Sequence, residues 1–479
     1  MVTTETHLKT THKKQTVYKL VSYALIVLFV CIKVFTFKFG VLDELWEYDF
    51  SRAITMGYIP YRDFPDCSMP LFGFIFSIPL FFSRTLIAYR AMTAFFFILL
   101  FIAVFNVINR KTSVGYAICA VLFGIRYAEL ATYNMLMMFW AVLCLLGLDI
   151  KNKKLKYFLI GFLTALAPLT KQSSGGIMLI IVTILMAYWA FHVEKQGKLF
   201  LIYLAGAFIP CFIFLIYLIA TASFAAFLDC CLFGLFAYAD NNTAVNMAGT
   251  PAMLLTIVLG IAGDFYFIFK KKDSFSLFHF CAGIAVLSNA IPIFEYYHLV
   301  MGGIFFLIPI ALIAKEFAPR FISINMTPVI AGMICVFIIF LSADVFMNPR
   351  ITSDWEELVL IPSSEDAEYY GDVVAKNHEY EAEGKKVIVF SSSAVVISIM
   401  DKTFNQPYDM FLNGNMGTAD PMSYAKNACA DSNNIILIPS DYNEENWQNP
   451  DGIYEYVTSH CTEVYSAGNW VWYSPKAQT

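Results

Sequence analysis

Residues 41–70 read VLDELWEYDFSRAITMGYIPYRDFPDCSMP, a polar and acidic stretch between two apolar segments. The segment before it, residues 18–40, has the roughly 20 mostly apolar residues that a membrane-spanning helix needs. Residues 43–56 are predicted to be helical, which puts Asp43 and Glu47 one turn apart on one face. Glycine and proline then end the helix and turn the chain back towards the bilayer.

The composition of the whole chain agrees with a membrane location for this stretch. Of its 479 residues, 58% are hydrophobic and only 14% are charged, whereas an ordinary soluble domain has about 45–50% apolar and about 25% charged residues. A soluble globular protein, a disordered chain and a fibrous repeat are therefore excluded. The net charge of −5 gives no reason to expect a nucleic-acid partner.

Eleven membrane-spanning helices are predicted from the apolar runs. The stretch 70–82 is apolar but too short to span, so it is predicted to be an interfacial or re-entrant helix. The predicted spans are 18–40, 85–108, 114–128, 132–150, 155–170, 174–193, 199–220, 251–269, 275–294, 298–314 and 327–346.

The distribution of basic residues predicts the orientation. With 70–82 left out of the count, one face receives 17 Lys and Arg and the other receives four. Cytoplasmic segments carry the excess of positive charge, so the amino terminus is predicted to be cytoplasmic and the carboxyl-terminal tail extracytoplasmic. The polar first 17 residues indicate that the first span is an uncleaved anchor rather than a signal peptide.

Three parts of the chain follow from these predictions. Residues 1–17 form a cytoplasmic tail, residues 18–346 form an all-α transmembrane domain with a first outer loop at 41–84, and residues 347–479 form an outer soluble domain. This last part carries 7 basic and 20 acidic residues. It is predicted to be α/β, with a helix at 364–383, strands at 386–390 and 434–438, and a hairpin at 463–474.

The cysteines leave open whether the tail contains a disulfide, and their spacing offers no metal-binding motif. Cys429 and Cys461 share the outer domain and either pair or remain as two thiols. The chain contains no C-x-x-C pair, so it offers no zinc or dithiol motif. It also contains no HExxH, GxSxG, Walker A or GxGxxG signature.

Three outer segments carry candidate chemistry. The carboxylates of the first loop suit general-base catalysis on a hydroxyl group, although a solvated acidic loop with Asp43 as a helix cap explains the same residues. Lys171, in the turn TKQSSGG, could bind a lipid phosphate or extend to the interface as a snorkelling lysine. Tyr297 and His298 could contact a phosphate or sugar, or belong to an aromatic belt.

Basic residues within the spans are the remaining candidates. Arg90 and Arg126 lie in or near spans, where arginine is a functional candidate by default, and structural pairing is an equal alternative. Lys33 and Lys38 are predicted to snorkel at the outer end of the first span.

An ordered set of motifs resembles a known family. Asp-Glu opens the first outer loop, a Gly-x-x-Pro-Tyr-x-Asp-Phe stretch and Pro-Leu follow, and an Arg, a Thr-Lys-Gln turn and a Tyr-Tyr-His motif come later. These are Asp43-Glu44, Gly57, Pro60, Tyr61, Asp63, Phe64, Pro70-Leu71, Arg90, Thr170-Lys171-Gln172 and Tyr296-Tyr297-His298. The chain thus resembles the GT-C integral-membrane glycosyltransferases. It is similar to bacterial relatives of the dolichyl-phosphate-mannose–protein mannosyltransferases and of the lipid A aminoarabinose transferase.

The resemblance implies a reaction and a set of partners. A polyprenyl-phosphate-linked sugar is the donor, a lipid, glycan or protein outside the cytoplasm is the acceptor, and the transfer usually inverts the anomeric carbon. The spacing requires no cofactor, and the resemblance leaves the use of a divalent metal open. The implied location is a bacterial plasma membrane, where the protein also contacts membrane lipids.

The resemblance also implies roles for individual residues. Asp43 is the general base and Glu44 assists it, and neither holds a metal. The donor phosphate is assigned to Arg62, Lys171, Tyr297, His298 and Arg90. The acceptor or sugar is oriented by Glu47, Asp63 and Tyr61. Arg52 is a weaker candidate for binding the phosphate.

Two other classes of function remain open at this point. A transporter or flippase for polyprenyl-linked glycans would also have many spans and interfacial cations, but it would not require a carboxylate-rich first loop. A membrane-anchored glycan-binding or assembly protein would act through the tail.

Overall fold

The computed structural model describes residues 2–36, 42–66, 68–128, 132–234, 244–247, 249–291, 293–317, 364–391, 394–401, 421–442 and 450–476. The predicted eleventh span and Lys38 lie outside the described residues.

Helices make up most of the described chain. They are α1 Val2–Thr36, α2 Leu42–Thr55, α3 Pro70–Leu80, α4 Leu86–Lys111, α5 Val114–Tyr127, α6 Thr132–Gly147, α7 Lys153–Thr170, α8 Gln172–Tyr188, α9 Gly197–Ala220, α10 Phe224–Phe227, α11 Pro251–Tyr266, α12 Ser274–Leu287, α13 Tyr296–Phe317, α14 Ser364–Ala382, α15 Ala394–Met400, α16 Pro421–Ala430 and α17 Ile453–His460. Short π-helical or 3₁₀ segments extend four of them, at Trp189–Val193, Leu228–Phe233, Phe267–Lys271 and Ser288–Ala290.

The strands are few and short. They are β1 Ala244–Val245, β2 Ile293–Phe294, β3 Lys386–Val389, β4 Asn434–Pro439, β5 Cys461–Ala467 and β6 Trp470–Pro475. β1 pairs with β2, and the other four form one sheet in the order β3-β4-β6-β5.

The helical pattern of a membrane protein is confirmed. Ten of the eleven predicted spans coincide with described helices. Among the described residues, six helices are long and apolar enough to cross a membrane. They are Gln15–Phe35, Leu86–Lys111, Gln172–Val193, Gly197–Ala220, Pro251–Lys271 and Tyr296–Phe317. The first helix begins at Val2, so the polar residues at the amino terminus continue the helix of the first span.

The apolar stretch after the first loop forms a helix that is too short to span. α3 begins with Pro70 at its first position, where the missing backbone N–H of proline costs nothing. Its 11 residues make it about 16 Å long at 1.5 Å per residue, against a bilayer core of about 30 Å. The length expected for an interfacial or re-entrant helix is therefore confirmed.

The chain divides into two compact units. Unit 1 contains residues 1–38, 90–212 and 245–350, and unit 2 contains residues 39–89, 213–244 and 351–479. In unit 1, α13 packs against α5, α11 and α12. In the 18-residue apolar stretch of α13, 72% is buried, whereas in that of α11 only 33% is buried. Helix α13 is therefore a central helix of this unit.

Unit 2 includes the predicted α/β domain, which is confirmed. β3 and β4 are parallel, β4 and β6 are antiparallel, and β5 and β6 form the predicted hairpin. Alternate strand residues pack on opposite faces of the sheet, as the two-residue period of a strand requires. Ile436 on one face contacts the core of α16 and α17, whereas Leu437 on the other contacts the core of α14 and α15.

The two tail cysteines meet in one of these cores. Cys429 on α16 and Cys461 on β5 are both buried in the same cluster. Their thiols are hydrogen-bonded to each other, and this contact lowers the pKa of Cys461 while it raises that of Cys429. In the structure both cysteines are free thiols.

Candidate active site

The acidic residues at the start of the first outer segment lie on α2. Asp43 and Glu44 are in its first turn. The described part of the helix begins at Leu42, which makes Asp43 its second described residue. Asp43 is half-buried, whereas Glu44 and Glu47 are buried. The helical spacing of Asp43 and Glu47 is as predicted.

A buried ion pair holds α2 against the tail. Arg52 Nη2 donates to Asp49 Oδ1 at 2.5 Å and to the Ser398 carbonyl of α15 at 3.1 Å. The two charged side chains are only 4% and 0% exposed. Arg52, a weak candidate for phosphate binding, thus has a structural contact that fixes the helix carrying Asp43.

The segment after α2 is a tight turn. Gly57 has a φ of 97° and Tyr61 has a φ of 69°, values that are uncommon for a residue with a side chain. The Tyr61 N–H donates to the Phe64 carbonyl at 2.9 Å, and the Asp63 N–H donates to the Ile59 carbonyl at 2.9 Å. These bonds hold Tyr61 in the left-handed conformation.

Arg62 and Asp63 form an exposed pair on this turn. The guanidinium donates from Nε and Nη2 to the two carboxylate oxygens, both at 2.8 Å. The side chains are 46% and 26% exposed. The hydrogen bonds from Arg62 lower the pKa of Asp63 below its ordinary value, and the hydrogen bond from the Ile59 N–H adds a smaller lowering. Both charged groups are therefore accessible at the surface of the turn.

Tyr61 is buried and contacts protein groups. Its hydroxyl donates to the Ser68 carbonyl at 2.7 Å, and its ring packs edge-on against Phe227 at 5.3 Å. In this conformation the side chain stabilises the turn and is not presented to a sugar.

Asp66 is a buried carboxyl that the residue pattern did not single out. It is 6% exposed, and its Oδ1 accepts hydrogen bonds from the Ser68 N–H at 2.8 Å and the Ser68 hydroxyl at 2.6 Å. Burial raises the pKa of Asp66 to about 6, in spite of these two bonds. The Asp-x-Ser spacing, typical of such local turns, was the available signal.

Lys171, in unit 1, lies at the break between α7 and α8. Its backbone is extended, its Nζ donates to Asn134 Oδ1 at 2.6 Å, and it lies 4.9 Å from the centre of the Tyr133 ring. A Cβ atom at Gly175 would come within 2.2 Å of the Ala167 carbonyl oxygen, which explains the glycine at this position. The lysine is thus held by polar and aromatic contacts.

Two basic side chains bind carbonyls at helix ends in unit 1. Arg90 Nη1 donates to the Val34 carbonyl in the last turn of α1 at 3.2 Å, and Lys33 Nζ donates to the Arg126 carbonyl in the last turn of α5 at 3.3 Å. Such carbonyls lack helical partners and attract cations. The snorkelling prediction for Lys33 is wrong, because its side chain is buried.

The Tyr-Tyr-His motif begins α13. Tyr297 is 50% exposed, and the His298 Nδ1 lies 3.0 Å from Glu295 Oε1. Glu295 is thus a neighbour of the proposed phosphate ligand.

A His–Asp pair inside unit 1 was missed. Asp264 Oδ2 and His279 Nδ1 are 2.7 Å apart, and the side chains are 1% and 0% exposed. The other ring nitrogen, Nε2, lies 3.2 Å from the Phe305 carbonyl and must donate to it. A lone Asp in one apolar run and a lone His in the next were the available signal.

The chain superposes on solved structures of two other proteins. The apo structure of ArnT from Cupriavidus metallidurans superposes with a TM-score of 0.57 at 11% identity, covering 96% of this chain and 98% of that one. The apo oligosaccharyltransferase of Archaeoglobus fulgidus gives 0.52 at 12%, covering 96% and 74%. The chain has the GT-C fold.

The GT-C resemblance drawn from the motifs is thereby confirmed at the level of the fold. A second ArnT structure, bound to undecaprenyl phosphate, gives a TM-score of 0.52 at 12% identity and covers 96% of this chain and 98% of that one. No protein-family model and no curated protein sequence matches the chain. The GT-C fold is therefore evident from structure and not from overall sequence similarity.

Proposed function

We propose that the protein is a membrane glycosyltransferase that moves a sugar from a polyprenyl-phosphate donor to an acceptor outside the cytoplasm. The carrying observation is a half-buried aspartate, Asp43, in the first turn of a fixed helix that follows the first span of a GT-C fold. Undecaprenyl phosphate is the ligand of one GT-C neighbour, which supports a lipid phosphate as the leaving group.

Asp43 acts as the general base, assisted by Glu44. Its partial exposure gives an acceptor hydroxyl access, whereas Glu44 and Glu47 are buried. The Asp49–Arg52 contact with α15 holds the helix in place, and fixed geometry is what general-base catalysis requires.

The donor phosphate is bound by basic and polar groups of the outer segments. Lys171 supports this role best, because it sits in the break between α7 and α8, where Asn134 and Tyr133 hold its ammonium group. The Arg62 side chain is exposed, so its charge is accessible to a ligand. Arg90, Tyr297 and His298 are further candidates, and negative charge that develops on the leaving phosphate is stabilised by such cations.

The acceptor and the cell side remain proposals from the sequence. Asp63 and Glu47 orient the acceptor or sugar, and Tyr61 contributes by shaping the turn that carries Asp63. The tail shapes acceptor access, with its face outside the cytoplasm. A divalent metal is not needed for the base mechanism, and inversion at the anomeric carbon is the expected outcome.

The test is Asp43→Asn in the full chain, purified in detergent. The donor is first identified by mass spectrometry of the lipid that copurifies. Asn cannot take a proton, so transfer should fall by about 10²–10⁴-fold, while binding of undecaprenyl phosphate is unchanged. Asp372→Asn, the same change at an exposed position of α14, is the matched control and should retain full transfer.

The result that contradicts this assignment is equally specific. If Asp43→Asn keeps more than about a tenth of the wild-type kcat, well above the general-base expectation, Asp43 is not the base. If the wild-type chain copurifies with no polyprenyl lipid and does not bind undecaprenyl phosphate, the transferase proposal itself fails.

Lys171→Ala tests the phosphate contact. Loss of a charge-assisted hydrogen bond costs about 1.5–3 kcal/mol, so undecaprenyl phosphate should bind roughly 10- to 100-fold more weakly. Lys151→Ala removes an exposed lysine between α6 and α7 and should leave binding unchanged. Equal affinity in both variants would return Lys171 to the snorkelling alternative.

A further inference from the structure

Three potential metal ligands meet on the surface of the tail. His378 and Glu381 lie one turn apart on α14, and Asp401 directly follows α15. Each offers one donor atom, and these atoms all lie within 4.8 Å of one another. Among the described residues, this is the group whose donor atoms could hold a metal ion. No part of the transferase proposal uses it.

The local electrostatics favour a cation at this point. Asp401 is at the carboxyl end of α15, where its N–H still donates to the Ile397 carbonyl at 2.9 Å. The end of a helix carries partial negative charge, so an aspartate there adds repulsion. The carboxylate of Glu381 lies in the same region, with its donor atom within 4.8 Å of those of His378 and Asp401.

The donor set indicates which cation fits. One imidazole nitrogen and two carboxylate oxygens suit first-row divalent transition metals better than Ca²⁺ or Mg²⁺, which prefer oxygen ligands alone. Ligands bound to one Zn²⁺ at about 2.0–2.2 Å lie at most about 4.4 Å apart. Because His378 is 56% exposed, small side-chain movements bring all three atoms within that distance.

A plain ion pair is the competing explanation. His378 Nε2 contacts Asp401 Oδ1 directly, and a protonated histidine would compensate one carboxylate. This pair joins two of the three groups, whereas a divalent ion would bind all three.

We propose that His378, Glu381 and Asp401 form a binding site for a divalent transition-metal ion, with water completing the coordination shell. The ion ties α14 to α15. Since α15 packs against α2 and accepts a hydrogen bond from Arg52, the bound ion stabilises the support of the helix that carries Asp43. Its role is structural, and the ion touches no reacting atom.

The test uses the full chain in detergent, stripped with a chelator, dialysed and titrated with Zn²⁺ alone. His378→Ala and Glu381→Gln should each bind one Zn²⁺ fewer than the wild type, or bind it at least about tenfold more weakly. His460→Ala and Glu379→Gln, which change an exposed tail histidine and a carboxylate on the same helix, should bind like the wild type. Binding by cysteine thiols is common to all five proteins and cancels.

Thermal unfolding provides a second readout that does not depend on activity. Zn²⁺ should raise the melting temperature of the wild type and the two controls but not that of His378→Ala or Glu381→Gln. Equal melting temperatures in chelator show that the variants are folded. Equal Zn²⁺ stoichiometry, affinity and thermal shift in all five proteins would overturn the proposed site.

Discussion

The helix α2 and the turn that follows it each carry an aspartate–arginine pair, but the pairs are in opposite environments. Asp49 and Arg52 are almost fully buried and reach the carbonyl of Ser398. Arg62 and Asp63 are 46% and 26% exposed and contact each other on the surface of the turn. The residue types are identical, so the environment alone decides what each pair does.

The difference in burial gives the two pairs different roles: the buried pair stabilises the helix, and the exposed pair can contact a ligand. A buried pair has lost its hydration and is strongly destabilised when one partner is removed, so it can fix a helix. An exposed pair contributes little stability because water and salt screen it, so its charges remain available for a ligand. The buried Asp264–His279 pair extends the comparison to the apolar helices α11 and α12 of unit 1.

The largest expected effect on stability is at the Asp264–His279 pair. His279→Ala leaves the Asp264 carboxyl without its basic partner between α11, α12 and α13, which should cost about 3–5 kcal/mol. The measurement is the unfolding midpoint in detergent. The double variant Asp264→Leu with His279→Phe replaces both polar groups by apolar ones and should recover most of the loss. A small effect of His279→Ala alone would mean that the pair is solvated.

Asp49→Ala should be the next largest. It leaves Arg52 buried, but Arg52 keeps the Ser398 carbonyl at 3.1 Å and the Tyr48 ring at 5.9 Å. The expected loss is therefore about 3 kcal/mol, at the lower end for a broken buried pair. Urea or thermal unfolding measures it. If the loss matches that of Asp63→Ala, burial does not distinguish the two pairs.

Asp66 gives the comparison a pH dependence. Its pKa is raised to about 6 by burial, so the folded state favours the neutral carboxyl. The neutral Asp66 carboxyl contributes fully to the free energy of unfolding below about pH 4, and this contribution is lost as the pH rises through about 6. At pH 7 Asp66→Asn should be more stable than the wild type by about 2–3 kcal/mol, and at pH 4 the two should be similar. A difference that does not change with pH contradicts this.

The smallest effect on stability is expected at the exposed pair. Asp63→Asn should change the unfolding free energy by only about 0–1 kcal/mol. If Asp63 orients the acceptor or sugar, kcat/KM should nevertheless fall in the transfer assay. A loss of both stability and activity would instead mean that the bond from the Ile59 N–H to Asp63, at 2.7 Å, holds the turn.

Much of the fold and part of the candidate site could be predicted from local pattern. The apolar runs predicted ten of the described helices, and the alternation and turn residues predicted the α/β tail, because hydrophobic period and chain breakers are local properties. The position of Asp43 and Glu47 on one helix followed from the same reasoning. The orientation in the membrane stays a prediction from the charge bias.

The partners of polar side chains were decided by the tertiary structure. Lys33 in α1 meets a carbonyl of α5, and Asp264 meets His279 from the next helix. Neither contact has a signature in sequence, because it depends on which helix ends come together. For the same reason, no pattern in the sequence indicates that His378, Glu381 and Asp401 converge.

The sequence by itself thus determined where helices and strands form and which segments carry acidic or basic groups, since these follow from the residues of a short window. Only the tertiary structure decided which of those groups are buried. It enclosed Asp49 and Tyr61 and left Arg62 at the surface. Burial changes the free energy of a charge by several kcal/mol, and it depends on neighbours that are distant along the chain.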